Sequence, residues 1–524
     1  MKKEKKTSSI LSNLLIKLAI VLMVLLIGSY ARVRWDFSKN KAYSLSQVSK
    51  DAVSNLQDNM VVKLYSSKEL PAAMLILDRY VKDLLEEYKQ AGKGKFHYEV
   101  INGPSPEDLK NKALQYGVGA MYFRIFENDK TTTKEVIYGL VFEYQGNFES
   151  MNVLPKMQNQ LEYQMTLKIQ KITRYTLPDI TAFVDTLYTL MPRQKYENEL
   201  YSNYNVHFTN LLEPPPKTPV MIVHSGYDSL SITQLYNLDQ FLMQGGKLVV
   251  LADKIFSDGE TVMEIHSNLF DFLENNGIKL SSDIAMDIFC DSRQMGVDTN
   301  ISFPIYPVLR GSQHPITRNI SNIIIYMGNG IIFNRKPGLK FQTILATSTR
   351  SALLEGPDYQ LDSRLFFNPD PDVFVNPPIP LGAIVEGRME SYFKEKPQFQ
   401  RSDFVSAVKD GKIVIFGDRE LYVDPDKPIY ENRYQIILNA VDWLMGREDM
   451  INIRSRHLQE SILDIAYYMH KNNLLWGDPA KKERRIKMEV KIIATLLPSL
   501  ILIAVGGIKS LHRKRTKEFK NEEI

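Results

Sequence analysis

A single cysteine, Cys290, stands in 524 residues, so no intrachain disulfide can form and no multi-thiolate zinc site can be built. The eight histidines, at 97, 207, 224, 266, 314, 457, 470 and 512, include no pair at metal-ligand spacing. No GxxxxGK[ST] run is present, which excludes nucleotide hydrolysis by a P-loop, and no G-x-G-x-x-G follows a strand pattern. A Gly-x-(Cys/Ser)-x-Gly elbow, the usual seat of an amidotransferase or hydrolase nucleophile, is absent too. These absences favour a non-enzyme with no cofactor and no metal.

Charge of one sign is scarce as well. Lys and Arg total 65 against 61 for Asp and Glu, a net charge of +4. Residues 1–9 carry +3 and residues 481–524 carry +7, which leaves −6 on the stretch between. A mildly acidic body with basic ends is a poor nucleic-acid binder, because phosphate neutralisation needs a clustered basic face. It suits a membrane protein whose basic ends stay in the cytoplasm.

Two apolar runs match that expectation. The first opens at Ile10 and closes at Tyr30, with Lys17 as its one charge. At 1.5 Å per residue it is long enough for a bilayer core. A cleavable signal peptide ending near Ala31 is the competing reading, but the run exceeds the usual signal-peptide core. The second opens at Ile492 and closes at Ile508, interrupted by Pro498 and flanked by basic residues. Two spans with cytoplasmic ends would place the main body outside the bacterial inner membrane, in the periplasm of a double-membrane cell.

Between the runs, strand and helix patterns alternate, which argues for α/β layers. Strands are read at 61–65, 96–101, 121–126 and 136–144, with helices at 71–90 and from 104. Ser46 is a good N-cap for a helix just after it. Length and order suit a thioredoxin-like domain over 35–176. No Cys-x-x-Cys occurs in it, so dithiol redox chemistry is excluded. A helix over 155–174 links to a second layer with strands at 180–185, 219–224, 247–253, 341–346, 382–386 and 412–418. Helices are read at 232–244, 268–277 and 435–445, with Asn268 as a candidate cap, and residues 350–380 as a long loop. Domain 177–456 thus reads as doubly wound or amidotransferase-like without its nucleophile. The fold class expected is α/β: two extracytoplasmic domains flanked by transmembrane helices, with 1–34 and 457–524 holding the spans and tails.

Candidate site residues are few. Asp253 and Asp418 each end an apolar strand at the carboxyl edge of the layer, where ligands of such sheets bind. Capping a following loop is the commoner role for an aspartate there. His224 lies beside Ser225, but neighbours on a strand point to opposite faces, so a hydrogen-bonded Ser/His pair is not expected. Cys290, without flanking glycines, reads as a small buried residue. A cleft where Asp253, His224 and Asp418 converge would favour a hydrolase or amidotransferase relative. A flat surface would favour a scaffold.

Several short motifs occur in a telling order: Trp35-Asp36-Phe37-Ser38 with Tyr43-Ser44-Leu45-Ser46, then Leu70-Pro71-Ala72, then FLMQGGKLVVLAD ending at Asp253. His314-Pro315-Ile316-Thr317, NAVDWL from Asn439 and Ile453-Arg454-Ser455-Arg456 follow. In this order the chain resembles the gliding-motility-associated ABC-transporter auxiliary components (GldG-type) and the wider uncharacterised ABC-transport accessory proteins. Asn102-Gly103-Pro104 departs from that pattern, where an acidic residue more often precedes the proline. The resemblance implies a non-catalytic extracytoplasmic subunit beside a separate ABC ATPase and membrane permease, in contact with membrane lipid. It would bind a transported substrate or an envelope partner.

Overall fold

The computed structural model describes residues 44–127, 130–173, 177–185, 188, 190–257, 261–295, 299–360, 369–427, 430, 433–455, 485 and 488–489. The chain enters through α1 (Gln47–Ser54), capped by the Ser46 side chain, which accepts from the Ser49 N–H. β1 (Met60–Ser66), α2 (Ala72–Ala91) and β2 (Phe96–Ile101) follow, then α3 (Pro106–Gln115), β3 (Ala120–Glu127), β4 (Lys130–Tyr144), β5 (Asn147–Asn152) and α4 (Leu161–Ile172). β1 pairs parallel to β2 and antiparallel to β4, while β3 and β5 both pair antiparallel to β4. Side chains on a strand alternate faces, and the core divides accordingly. Tyr138, Leu140 and Phe142 pack with α2 and α4, while Ile137 and Val141 pack with α3.

The second body opens with β6 (Asp179–Phe183), α5 (Gln194–Asn203), β7 (Asn205–Thr209), β8 (Val220–His224), α6 (Ile232–Met243) and β9 (Lys247–Leu251). An excursion follows: β10 (Ile255–Ser257), β11 (Val262–Glu264), α7 (Asn268–Asn275), β12 (Ile278–Asp287), β13 (Cys290–Met295), β14 (Thr299–Leu309), β15 (Ile323–Ile324) and β16 (Asn329–Phe333). β17 (Leu339–Ala346), β18 (Ser351–Leu354), β19 (Pro380–Glu390), β20 (Ala407–Phe416), α8 (Gln435–Leu444) and α9 (Glu448–Ser455) complete it.

Seven strands form one sheet in the order β17-β19-β20-β9-β8-β6-β7, parallel from β20 to β7. A parallel strand covered on both faces must be apolar throughout. β8 and β9 satisfy this: Ile222, Val249 and Leu251 face α8, while Met221, Val223, Leu248 and Val250 face α6. Chain order reverses between β6 and β8, so the carboxyl ends of those two strands mark a topological switch point. α6 carries a full capping box between Ser231 and Gln234. It stops at Gly245, whose φ of 98° suits glycine.

Three departures from the sequence expectations stand out. The expected fold class, with helices crossing a membrane on either side, is corrected to a mixed α/β fold. Among the described residues no helix is long and apolar enough to cross a membrane. The longest described helix, α2, is broken up by charges such as Asp78, Arg79, Lys82 and Asp83. The runs at 10–30 and 492–508 lie outside the described residues. Second, the cap of α7 is Ser267, and Asn268 instead bonds the Leu230 N–H and C=O, tying two loops together. Third, the segment expected as a loop at 350–380 contributes β18 to a three-stranded sheet with β12 and β16.

Candidate functional site at the carboxyl edge

His224 is the last residue of β8 and is 1% exposed. Its Nδ1 lies 3.1 Å from the Phe183 carbonyl oxygen, which only accepts, so Nδ1 carries the proton. Nε2 is then the acceptor for the Tyr196 hydroxyl at 3.1 Å. The rings of Tyr188 and Tyr422 lie 4.6 and 5.0 Å from the imidazole. The crevice where a doubly wound sheet holds its ligand is therefore filled here by the chain's own aromatic side chains. Burial pushes the imidazole pKa down to about 4.

That depression has a defined sign. The unfolded chain binds the proton near pH 6.5 while the folded one resists it, so the neutral His224 contributes its stability above pH 6.5. The contribution is lost as pH falls toward 4 and amounts to ~3 kcal/mol. Histidine-selective NMR is expected to show the His224 ring neutral at pH 5.5, and a midpoint near 6.5 would refute the geometry.

Asp253 and Asp418 follow the ends of the neighbouring strands β9 and β20, and each is paired with its own arginine. The Arg419 guanidinium donates to Asp253 Oδ1 from Nε at 3.0 Å and from Nη2 at 2.5 Å, and the Arg419 amide donates to Oδ2 at 2.7 Å. The same guanidinium reaches the carbonyls of Gly226, Asp253 and Ile255, and stacks 4.4 Å from the Tyr227 ring. Arg419 thereby ties together the loops after β8, β9 and β20. Asp418 accepts from Arg433 Nη2 at 2.9 Å and from the amides of Tyr326 and Glu420. Its burial raises the carboxyl to about 6, the Arg433 charge opposing and Asp253 adding to the rise. Glu420, on the turn after Asp418, is raised to about 7 by burial and by the charges of Asp418 and Asp253.

His224 bonds to neither aspartate; its ring partners are Phe183 and Tyr196. The Ser225 hydroxyl is buried and has no hydrogen-bond partner among the described residues. At Gly226 a Cβ would sit 1.4 Å from Asp185 Oδ2, so any larger residue has to displace that side chain. Cys290 opens β13, and burial pushes its thiol up to about 12, so no thiolate forms near neutral pH.

Beside this edge the surface opens into a cavity of about 360 Å³ lined by Lys254, His266, Ser267, Asn268, Phe270 and Asp271. His266 is shared with an open cleft of about 530 Å³ reaching Glu264, Asp358 and Tyr359. The linings are polar, and among the described residues no group of His, Cys, Asp and Glu is placed to hold a metal ion. Sequence reading missed Arg419, Arg433, Glu420 and the tyrosine cage. The charged run Asp418-Arg419-Glu420 after an apolar strand was the available signal.

The edge is thus a set of buried ion pairs and aromatic rings on an α/β sheet, in which Arg433 Nε and Nη1 have no hydrogen-bond partner among the described residues. Comparison with known proteins agrees with the transport-accessory resemblance. Residues 171–440 match the family described as an ABC-type uncharacterized transport system, and the chain belongs to that family. Residues 39–143 match a family described as a domain of unknown function. An uncharacterized protein of Borreliella burgdorferi is 21% identical over 521 residues, covering 96% of this chain and 98% of that one. Among solved structures, the mmIFT52 N-terminal domain aligns at 14% identity and a TM-score of 0.33, over 51% of this chain and 96% of that one. A likeness at that score carries no weight.

Proposed function

We propose that the chain is a non-catalytic accessory subunit of an ABC transport system, working beside a separate ATPase and a separate permease. The observation that carries this reading is the family match across the second body. Chemistry at the carboxyl edge is consistent with it. Both nitrogens of His224 are engaged, Asp253 and Asp418 are each held by an arginine, and the Cys290 thiol is kept protonated. With these partners in place neither ring nitrogen of His224 is free to act as a base, and the protonated Cys290 thiol is a poor nucleophile. Placement of the body at the outer face of the cell membrane, which rests on the basic ends, and a tie to surface gliding, which rests on motif order, are the narrower parts of the proposal. Full-length chain extracted in mild detergent is expected to bring an ATPase and a permease with it.

A further inference from the structure

Three of the motifs noted in the sequence meet at one buried point. Arg454 of α9, 3% exposed, donates from Nη1 to Asn439 Oδ1 at 2.7 Å and from Nη2 to Asp442 Oδ2 at 2.7 Å, both on α8. Asn439 Nδ2 in turn donates to the Ile316 carbonyl in the His-Pro-Ile-Thr turn. The guanidinium does not stop at the second body. Its Nε reaches the Tyr163 hydroxyl on α4 at 3.1 Å, and Nη2 reaches Asn203 Oδ1 on α5 at 3.2 Å. Tyr163 closes the loop by donating to the same Asn203 oxygen at 2.7 Å. One side chain therefore bonds the first body and the second at once.

The packing around it is small. Tyr163, Leu167, Met450 and Ile453 form a satellite cluster with Val48 of α1, separate from the main cores of the two bodies. A seam with little apolar area and a buried charged centre is held by geometry more than by burial. Removing one partner of such a network leaves the others desolvated and unpaired. Inter-domain contacts of this polar kind permit relative motion once their specific bonds are lost. α1 adds to the seam from the entry side: the Ser46 amide and the Ser49 hydroxyl donate to Glu162 Oε1, one residue before Tyr163. The segments that enter at Ser46 and leave after Ser455 thus both attach to α4.

We infer that Arg454 is a latch that fixes the two α/β bodies in one pose, and that α9 is the element whose displacement releases them. The inference is independent of the proposed function. It is tested on the full chain carrying Cys290→Ser, with spin labels at two exposed positions, Tyr122→Cys in the first body and Val375→Cys in the second. A single narrow distance is expected with Arg454 in place. Arg454→Met is expected to broaden it at least twofold or split it, with the far-ultraviolet spectrum of the full chain retained. An equally narrow distribution in that variant overturns the latch. If Arg454→Met does not fold, hydrogen exchange on the unsubstituted chain decides. Amides of 448–455 are expected to be protected together with those of 161–172, and free exchange of 448–455 while both sheets stay protected overturns it.

Discussion

Replacing Arg419 by Met is expected to cost about 3–5 kcal/mol of unfolding free energy, the range for breaking a buried ion pair from one side. The reason is what stays behind. Asp253 is 4% exposed, and without the guanidinium its buried carboxylate loses its counter-charge and keeps only the amides of residues 255 and 419 as donors. Three backbone carbonyls, of Gly226, Asp253 and Ile255, lose their donor in the same step. Methionine fills the volume but returns none of those bonds. A surface pair serves as the control. Lys394 and Glu390 lie 3.0 Å apart with both side chains over two-fifths exposed, and Lys394→Met is expected to change stability by less than about 1 kcal/mol. Urea titration of the full chain separates the two cases. Similar midpoints for both variants would mean that Arg419 does not hold the carboxyl edge together.

Gly226→Ala is the second expected effect, and its cause is steric. The added methyl would overlap Asp185 Oδ2 and come within 2.6 Å of its Cγ, so the aspartate must swing away. That motion removes the bond from the Tyr188 amide to Asp185 Oδ1 and loosens the tyrosine that packs on His224. A loss of about 1 kcal/mol is expected, the low end for overpacked sites, because the atoms in the way are the end of one half-buried side chain and no backbone has to move. In an Asp185→Ala background the clash has no partner, so Gly226→Ala is expected to cost much less there. Denaturation of the two singles and the double gives the coupling directly. An equal cost in both backgrounds would show that the glycine is required for some reason other than Asp185.

How much of this was legible in the sequence depended on the range of the interactions. β8 and β9 could be read because a strand buried on both faces is a continuous apolar run, and Gly245-Gly246 marks where α6 ends. The excursion between β9 and β19 could not. β12 carries Ser281, Ser282 and Asp283 in its middle, and it pairs with β16 and β18, the latter some 70 residues further along the chain. Nothing local announces such partners. Asp253 and Asp418 stood out as strand-ending carboxylates, but their arginines did not. Arg419 meets Asp253 across 166 positions, and only the adjacency of β9 and β20 brings them together. His224 was noticed for the serine beside it, whereas its real partners, Phe183 and Tyr196, come from β6 and α5. The motif residues Asn439, Asp442 and Arg454 were visible as a pattern whose physical meaning, one shared buried network, emerged only in three dimensions.

The decisive measurement is isolation of the tagged, full-length chain from native membranes in mild detergent, with bound proteins identified and ATP hydrolysis assayed. An ATPase and a multispanning permease in fixed ratio to the chain, with hydrolysis abolished by a Walker lysine change in the ATPase and untouched by His224→Ala or Cys290→Ala, is the outcome expected of an accessory subunit. Recovery of the chain without either component, or turnover that depends on His224 or Cys290, would contradict it.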